Sequence, residues 1–153
     1  MLAIERLNSF GSDAVQAITG LEKHFLIVSE SHLRKRLLGL KPHESPILVI
    51  LMPTASAESP NPDSLRWQNQ LMFLVLKGPI NYTKRNLQEE LDDFSYTQTL
   101  VMDLLSFLQQ KQALGSCTWL KYLDLNTLQV DPEYNLHSCD GWSVTLNVKT
   151  HGS

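Results

Sequence analysis

The residues best suited by type to carry out chemistry lie near the C-terminus, where His137, Cys139 and Asp140 share one four-residue segment. An imidazole, a thiol and a carboxylate are the groups of a nucleophilic site or a metal site. In an extended segment, however, His137 and Cys139 point to one side and Asp140 to the other. A nucleophilic cysteine also needs a base that approaches it in space and is itself oriented by a third group. We therefore interpret this segment as a turn before a final strand.

A zinc site is the other chemistry that the cysteines suggest, because structural zinc is held by four Cys or His ligands. Cys117 and Cys139 are the only cysteines, and the five histidines form no H-x-x-x-H pair. A C-x-x-C pair is absent as well. We predict no metal and no cofactor, and we expect both thiols to be reduced, buried and inert.

Two charged clusters stand out from the rest of the chain. Four acidic residues form the most concentrated negative charge: Glu89, Glu90, Asp92 and Asp93. Three basic residues form the only compact positive cluster: Arg34, Lys35 and Arg36. Adjacent side chains diverge on a helix, so the acids are not a catalytic pair and ordinary solvation explains both clusters. If the clusters meet across subunits, they form an oligomer interface between unlike surfaces.

Motifs of common enzymes are missing from the chain. The glycines are isolated, and there is no Walker-type loop, no G-x-S-x-G elbow and no H-E-x-x-H pair. The glycosylation pattern at residues 81–83 has no export signal to accompany it. With no catalytic residue to name, the sequence predicts a protein that is not an enzyme.

Composition is that of an ordinary globular protein. The chain has 153 residues, of which 42% are hydrophobic and 19% charged, and we expect a single domain over residues 1–153. A net charge of −3 gives no general reason to bind nucleic acid. The longest apolar run, residues 47–52, is far shorter than the about 20 residues that cross a bilayer. Charges near the N-terminus argue against a secretory signal, so we expect no membrane association and a location in the cytoplasm.

The strongest strand signals flank a proline-rich segment. Residues 47–52 are apolar, rich in β-branched side chains and bracketed by Pro46 and Pro53, which favours a central strand buried on both faces. Residues 67–76 alternate at first and then become wholly apolar. We predict that these strands pair across an exposed loop at residues 53–64.

One long helix is predicted from about residue 86 to residue 111. Its start is marked either by Asn86 with Glu89 or by Ser95 with Gln98, since both have the form of a capping box. Six apolar residues draw one stripe along it: Leu87, Leu91, Phe94, Val101, Leu105 and Leu108. This stripe is expected to pack on the sheet.

The two ends of the chain are predicted less uniformly. After Gly115 we expect β structure over residues 120–130, a turn-rich stretch over 131–141 and a final strand at 142–148 that follows an Asp140-Gly141 turn. The part before residue 41 is predicted to be helical, with either a helix over 14–28 interrupted by Gly20 or a short strand at 25–28. Ser29 or Ser31 then caps a short helix that ends at Gly39. The fold class is α+β: a mixed or antiparallel sheet with a long helix packed on one face and shorter N-terminal helices.

This layout resembles that of the small tail-terminator or tail-completion proteins of tailed bacteriophages and prophages. The likeness comprises the bracketed strand, the polar loop, the second strand, the long helix and the closing Gly141-Trp142 strand, and covers about two thirds of the chain. Its most local features are the Asp131-Pro132 pair and the Gly-Trp strand.

The resemblance implies a non-enzymatic structural protein of a virion. Such proteins form homo-oligomeric rings, such as hexamers, at the head-proximal end of the tail tube, where they stop its polymerisation and contact the head connector. The implied partners are other copies of the chain, the tail tube and the connector, and the implied location is the virion, after assembly in the host cytoplasm. The alternatives are a small cytoplasmic adaptor or ligand-binding module, and an enzyme that uses Cys139 or the acidic cluster.

Overall fold

A computed structural model describes residues 2–57, 66–114 and 119–151, with only the backbone described at Arg66 and His151. Within this part, eight α-helices and β-strands follow one another along the chain: α1 (Ile4–Ala17), β1 (Lys23–Ile27), α2 (Glu30–Leu38), β2 (Ile47–Ala57), β3 (Arg66–Lys77), α3 (Leu87–Ala113), β4 (Leu123–Leu136) and β5 (Cys139–His151). Two short 3-10 helices, Pro42–Glu44 and Trp119–Tyr122, precede β2 and β4. The strands form one five-stranded sheet in the order β1-β2-β3-β5-β4. The predicted α+β class is confirmed.

The N-terminal part contains a strand as well as helices, so the prediction of a helical segment up to residue 41 is wrong over β1. Of the two alternatives for this region, the short strand is the one that forms, although it begins at Lys23. β1 is parallel to β2 over the five pairs from Lys23↔Ile47 to Ile27↔Leu51. The strand that pairs with β1 is distant in the sequence, and the polar residues Lys23 and His24 interrupt the apolar pattern by which β1 could have been recognised. α2 forms the crossover between the two strands and is capped as predicted by Ser29, whose Oγ accepts a hydrogen bond from the amide of His32.

β2 and β3 form the predicted antiparallel pair, with register from Ile47↔Leu76 to Ala57↔Trp67. The first four residues of β2 are fully buried, as expected of a central strand. The strand continues beyond Pro53 to Ala57, so the first part of the predicted loop is wrong. A register shift between Leu51 and Thr54 places the proline at a bulge, where the lost amide does not interrupt the ladder. Residues 58–64 of that predicted loop lie outside the described residues.

α3 begins at Leu87, because the Asn86 Oδ1 accepts a hydrogen bond of 2.8 Å from the amide of Glu89. Asn86 is therefore the correct start signal, and Ser95 lies inside the helix. The face that packs on the sheet is buried: Thr97, Leu100, Val101, Leu104, Phe107 and Leu108. The predicted stripe is wrong at its N-terminal end, since Leu87 and Leu91 are 70% and 55% exposed.

Strands β4 and β5 occupy most of the predicted turn-rich stretch, and the predicted turn before the final strand is confirmed only at residues 137–138. Leu136 pairs with Cys139, so the turn consists of His137 and Ser138, whose φ values are 48° and 70°. This left-handed pair has the twist that a two-residue hairpin needs, although neither residue is the glycine or asparagine that usually signals it. The predictions of a turn at Asp140-Gly141 and over residues 131–136 are wrong, because those residues are in strands.

Two cores lie on opposite faces of the sheet. α1 and α3 cover one face, where Phe10 contacts Phe73, Phe107 and Trp119 with ring centroids 5.5–5.8 Å apart. α2 covers the other face over β1, β2 and part of β3. The surfaces of α2 and α3 that face solvent therefore point in opposite directions. No helix in the described part of the chain is long and apolar enough to span a membrane.

Candidate interaction surfaces

A buried ion cluster joins the start of α3 to the sheet. Asp140 is 1% exposed, on the sheet face that α3 covers. Its Oδ1 accepts hydrogen bonds from the Tyr82 hydroxyl at 2.8 Å and the Asn135 amide at 2.7 Å. Its Oδ2 lies 2.6 Å from Nη1 of Arg85, whose side chain is 6% exposed. The carboxylate is thus held by a cation and two neutral donors, as a buried charge requires.

The same arginine binds two of the acids of α3. Its Nη1 is 3.1 Å from an oxygen of Asp93, and its Nη2 is 3.2 Å from one of Glu90. Lys77 of β3 binds the other oxygen of Asp93 at 2.6 Å. Glu90 and Asp93, two of the predicted interface residues, are therefore paired within their own chain. No local pattern in the sequence indicates this cluster, because Arg85 and Asp140 are far apart along the chain.

The titration of this cluster favours a structural role. Burial alone would lower the pKa of Arg85, but the neighbouring carboxylates of Asp140 and Asp93 raise it above its ordinary value. Burial, followed by the hydrogen bond to Asp140, raises the pKa of Tyr82 far above its usual range. Neither group exchanges a proton near neutral pH, so the charges of the cluster are constant there. The ion pairs hold the start of α3 against the sheet by electrostatic attraction.

His137 and Cys139 are separated by the fold. The His137 Nε2 is 2.7 Å from Oε1 of Glu30, at the start of α2. Cys139 is fully buried in the core beneath α2, and this burial raises the pKa of its thiol to about 12. The expectation of a buried thiol is confirmed for Cys139, while Cys117 lies outside the described residues. Across the described ranges, no group of three or more His, Cys, Asp or Glu side chains is placed to hold a metal ion.

The acidic surface is the start of α3 that faces solvent. Glu89 and Asp92 are exposed and make no ion pair with any described residue. Glu89 accepts a hydrogen bond from the Asn86 amide group, and Asp92 accepts one from Gln88. Leu87 and Leu91 are exposed as well, but they share a different side of the helix from Glu89 and Asp92. The exposed start of α3 therefore carries negative charge and apolar area on separate faces.

The basic surface is formed by α2 and the edge strand β1. Arg34, Lys35 and Arg36 are all exposed, and within the described chain none of them forms an ion pair. Leu38, one turn beyond Arg34, is 63% exposed. The basic surface therefore also has an apolar component.

A groove of about 370 Å³ runs between β1 and α2. We call it the β1–α2 groove, and it is lined chiefly by Lys23, Phe25, His32, Lys35, Arg36 and Leu40. Above the Phe25 ring stand the Arg36 guanidinium, 5.6 Å from the centroid, and the Lys23 ammonium, at 5.7 Å. Glu44 neutralises Lys23 through an ion pair. Lys35 and Arg36 thus supply the uncompensated positive charge of the groove.

The predicted interface residues are accordingly divided by the fold. Arg34, Lys35 and Arg36 lie on the α2 side of the sheet, and Glu89 and Asp92 lie on the α3 side, so the two groups do not meet within one chain.

Comparison with known proteins adds no family: no protein-family model and no curated protein sequence matches the chain.

Proposed function

We propose that the protein is a non-enzymatic structural subunit of a phage or prophage virion. In this role it forms a homo-oligomeric ring, a tail terminator or head–tail connector component, at the head-proximal end of the tail tube. Its partners are further copies of itself, the tail tube and the head connector. The proposal starts from the resemblance in layout, and the observed α+β fold with its long helix on one sheet face is compatible with it.

The observation that carries the proposal is a pair of unlike surfaces on opposite sides of the sheet. One carries Glu89 and Asp92 at the exposed start of α3, and the other combines a basic cluster with Leu38 and the groove. A chain that cannot satisfy two complementary surfaces internally can satisfy them with neighbours. Contacts between unlike surfaces are heterologous, and they close into a ring when the rotation between copies permits.

Native mass spectrometry and light scattering over a range of concentrations test the assembly. The proposal predicts one dominant closed stoichiometry of several copies and ring-shaped particles in negative-stain electron microscopy. A monomer at every concentration contradicts it. An unlimited series of larger species indicates open filaments and contradicts the ring.

The virion assignment needs a separate experiment. Phage particles purified from the bacterium that carries the gene should contain the protein at a fixed ratio to the major tail-tube protein. Deletion of the gene should yield tails of irregular length and heads without tails. Particles that lack the protein, or a deletion strain with normal tails, exclude the virion role.

A ligand-binding module is the second candidate, and the β1–α2 groove favours it. Uncompensated positive charge from Lys35 and Arg36 beside an aromatic ring suits a small anionic ligand. Inorganic phosphate and adenosine monophosphate are suitable probes. A monomeric protein whose melting temperature rises with either probe, and whose Arg36→Ala variant shows no rise, favours this function over the ring.

A further inference from the structure

We infer that one flank of α3 forms a two-fold contact with a second copy of this chain, in which the two α3 helices lie antiparallel and their Gln98 residues face each other. The flank is centred on Gln98 and comprises six further residues: Leu87, Leu91, Phe94, Met102, Leu105 and Gln109. We call these residues, together with Gln98, the uncharged flank. The inference goes beyond the proposed ring, because it uses another surface and another symmetry.

The members of the uncharged flank share one side of the helix, and charged residues are excluded from it. At about 100° per residue, the outer members lie within about 40° of Gln98 around the helix axis. The charged residues of α3 all lie about 80° or more from Gln98. A helix face that remains in solvent normally carries charged side chains. The absence of charge along this whole flank therefore indicates a surface that is covered by a partner.

The opposite flank of α3 is covered by α1 and by the loop that follows it. The Phe107 ring contacts the Phe10 ring of α1, with centroids 5.5 Å apart. Leu100 lies against Gly20, where an added Cβ would be 2.9 Å from the leucine side chain. Both of these α3 residues are on the far side of the helix from Gln98. Packing within the chain thus uses one flank of α3, and the uncharged flank is the other.

The uncharged flank lies on the β5 side of α3 and is largely exposed. Its Phe94 ring contacts Trp142 of β5, with centroids 6.1 Å apart. Farther from the sheet, Leu87, Leu91 and Met102 are 70%, 55% and 63% exposed. Large apolar side chains that are grouped on a protein surface mark an interaction site.

The residue spacing along the uncharged flank identifies a second copy as its partner. From Leu87 to Gln109 the members follow one another at intervals of 4, 3, 4, 4, 3 and 4 residues, which read the same in both directions. Two antiparallel helices that meet at Gln98 therefore place every outer member opposite another, in the pairs Leu91–Leu105, Phe94–Met102 and Leu87–Gln109. The first two pairs are apolar, and the two Gln98 amide groups can exchange hydrogen bonds. Such a surface is self-complementary, as a two-fold contact requires.

Charge favours the same partner and the antiparallel orientation. A flank without charge gains no ion pair from an acidic or basic surface, whereas a second copy offers an equally uncharged one. Most of the charged residues of α3 are acids at its N-terminal end: Glu89, Glu90, Asp92 and Asp93. A parallel pair would bring the acids of both copies together, and an antiparallel pair places them at opposite ends of the contact. The opposite partial charges at the two ends of each helix also favour this orientation.

The adjoining part of β4 extends the contact. Val130 and Pro132 pair with Val144 and Trp142, which lie in or against the first core, so these β4 residues are on the sheet face that α3 covers. Val130 is 37% exposed. Residues 87–109 span about 33 Å of a helix about 10–12 Å wide, or roughly 350–400 Å², whereas a standard interface buries about 800 Å² per partner. The contact is therefore modest in area, and the dimer should dissociate on dilution.

Charges introduced at Gln98 test the two-fold contact in the full chain. Gln98→Glu brings two carboxylates together across the axis, and Gln98→Lys brings two ammonium groups together. Each variant should raise the dissociation constant of the contact at least about a hundredfold, because like charges across an interface repel each other. An equimolar mixture of the two variants should associate again, since each mixed dimer pairs a carboxylate with an ammonium group.

Light scattering over a concentration series, near physiological ionic strength, measures the association, and circular dichroism checks that each variant is folded. Labelling one variant with a heavy nitrogen isotope allows native mass spectrometry to identify the mixed dimer. Gln110→Glu and Gln110→Lys are the matched controls, because Gln110 is an exposed residue of α3 that lies about 120° around the helix from Gln98. Both controls should associate as the unaltered protein does.

The apolar part of the contact has its own test. Leu91→Ser with Met102→Ser should also dissociate the dimer, because each serine removes an apolar side chain that the second copy covers. Both side chains are exposed in a single chain, so the stability of the monomer should be nearly unchanged. A dimer of unaltered affinity in this variant would overturn the contact.

Salt separates this contact from those of the ring. The contact contains no ion pair, so the dimer should persist at about 1 M salt, where the screening length is about 3 Å and contacts between charged surfaces weaken. A dimer that never forms a larger closed assembly overturns the ring and leaves this contact intact. Gln98 variants that associate normally, or that do not recover on mixing, overturn this contact, and a ring that persists in them leaves the proposed function intact. A protein that is monomeric at every concentration overturns both.

Discussion

Arg85→Met is the change that most directly probes the buried ion cluster. The methionine keeps much of the apolar stem of the arginine but removes the cation that faces Asp140, Asp93 and Glu90. Asp140, 1% exposed, then retains only the hydrogen bonds from Tyr82 and the Asn135 amide. Asp93 keeps Lys77. The variant therefore leaves one carboxylate buried without a counter-ion.

The expected cost follows from this geometry. Removing one member of a buried ion pair typically costs about 3–5 kcal/mol, because the remaining charge loses its partner but not its burial. The Arg85 and Asp140 side chains are 6% and 1% exposed, so solvent screens their interaction little. With a urea dependence of about 2 kcal/mol per M, such a loss lowers the unfolding midpoint by about 1.5–2.5 M.

Urea unfolding followed by circular dichroism provides the measurement, at one fixed protein concentration so that assembly contributes equally. Arg6→Met is the matched control, because Arg6 is an exposed residue of α1, and it should change the stability by less than about 0.5 kcal/mol. A loss below about 1 kcal/mol for Arg85→Met would refute the reasoning, since it would show that the cluster is solvated.

Three further predictions concern the core, one glycine and one histidine. Leu104→Ala should cost about 2–5 kcal/mol and Leu105→Ala clearly less, because Leu104 is 0% exposed and Leu105 only partly buried; equal losses in urea unfolding would contradict the observed helix orientation. Gly141→Ala should cost more than the about 1–3 kcal/mol typical of overpacking, because its Cβ would lie 1.9 Å from the carbonyl oxygen of Val75; a normal melting temperature would contradict this close approach. Burial lowers the pKa of His24 below its ordinary value of 6.5, so the unfolded chain binds more protons as the pH falls below 6.5, and stability should fall with it. His24→Gln should reduce the dependence of the unfolding free energy on pH between pH 7 and pH 5. An unchanged dependence would show that other groups cause it.

Local patterns predicted the elements whose signals lie within their own residues. The proline-bracketed run of residues 47–52, the Asn86 cap and the Ser29 cap each contain the physical cause of the structure that they mark. For this reason the fold class followed from the sequence. For β1 the sequence left a helix and a short strand as alternatives, because the strand is stabilised by parallel pairing with β2 rather than by its own pattern.

The candidate surfaces were predicted in part, and the missing part depends on tertiary contacts. The acidic cluster is visible in the sequence, but only the fold divides Glu90 and Asp93, which bind Arg85, from Glu89 and Asp92, which face solvent. The predicted apolar stripe also reads as one continuous face. In the fold, the first turns of the helix are not covered by the sheet. Leu91 is therefore at the surface, whereas Leu108 is in the core.

The stoichiometry of the unaltered protein, measured by native mass spectrometry near physiological ionic strength, decides whether the chain assembles into a ring. We expect a single closed oligomer of several copies whose dissociation is promoted by salt, because the screening length falls from about 10 Å at 0.1 M to about 3 Å at 1 M. A protein that is monomeric at every concentration and ionic strength would contradict it.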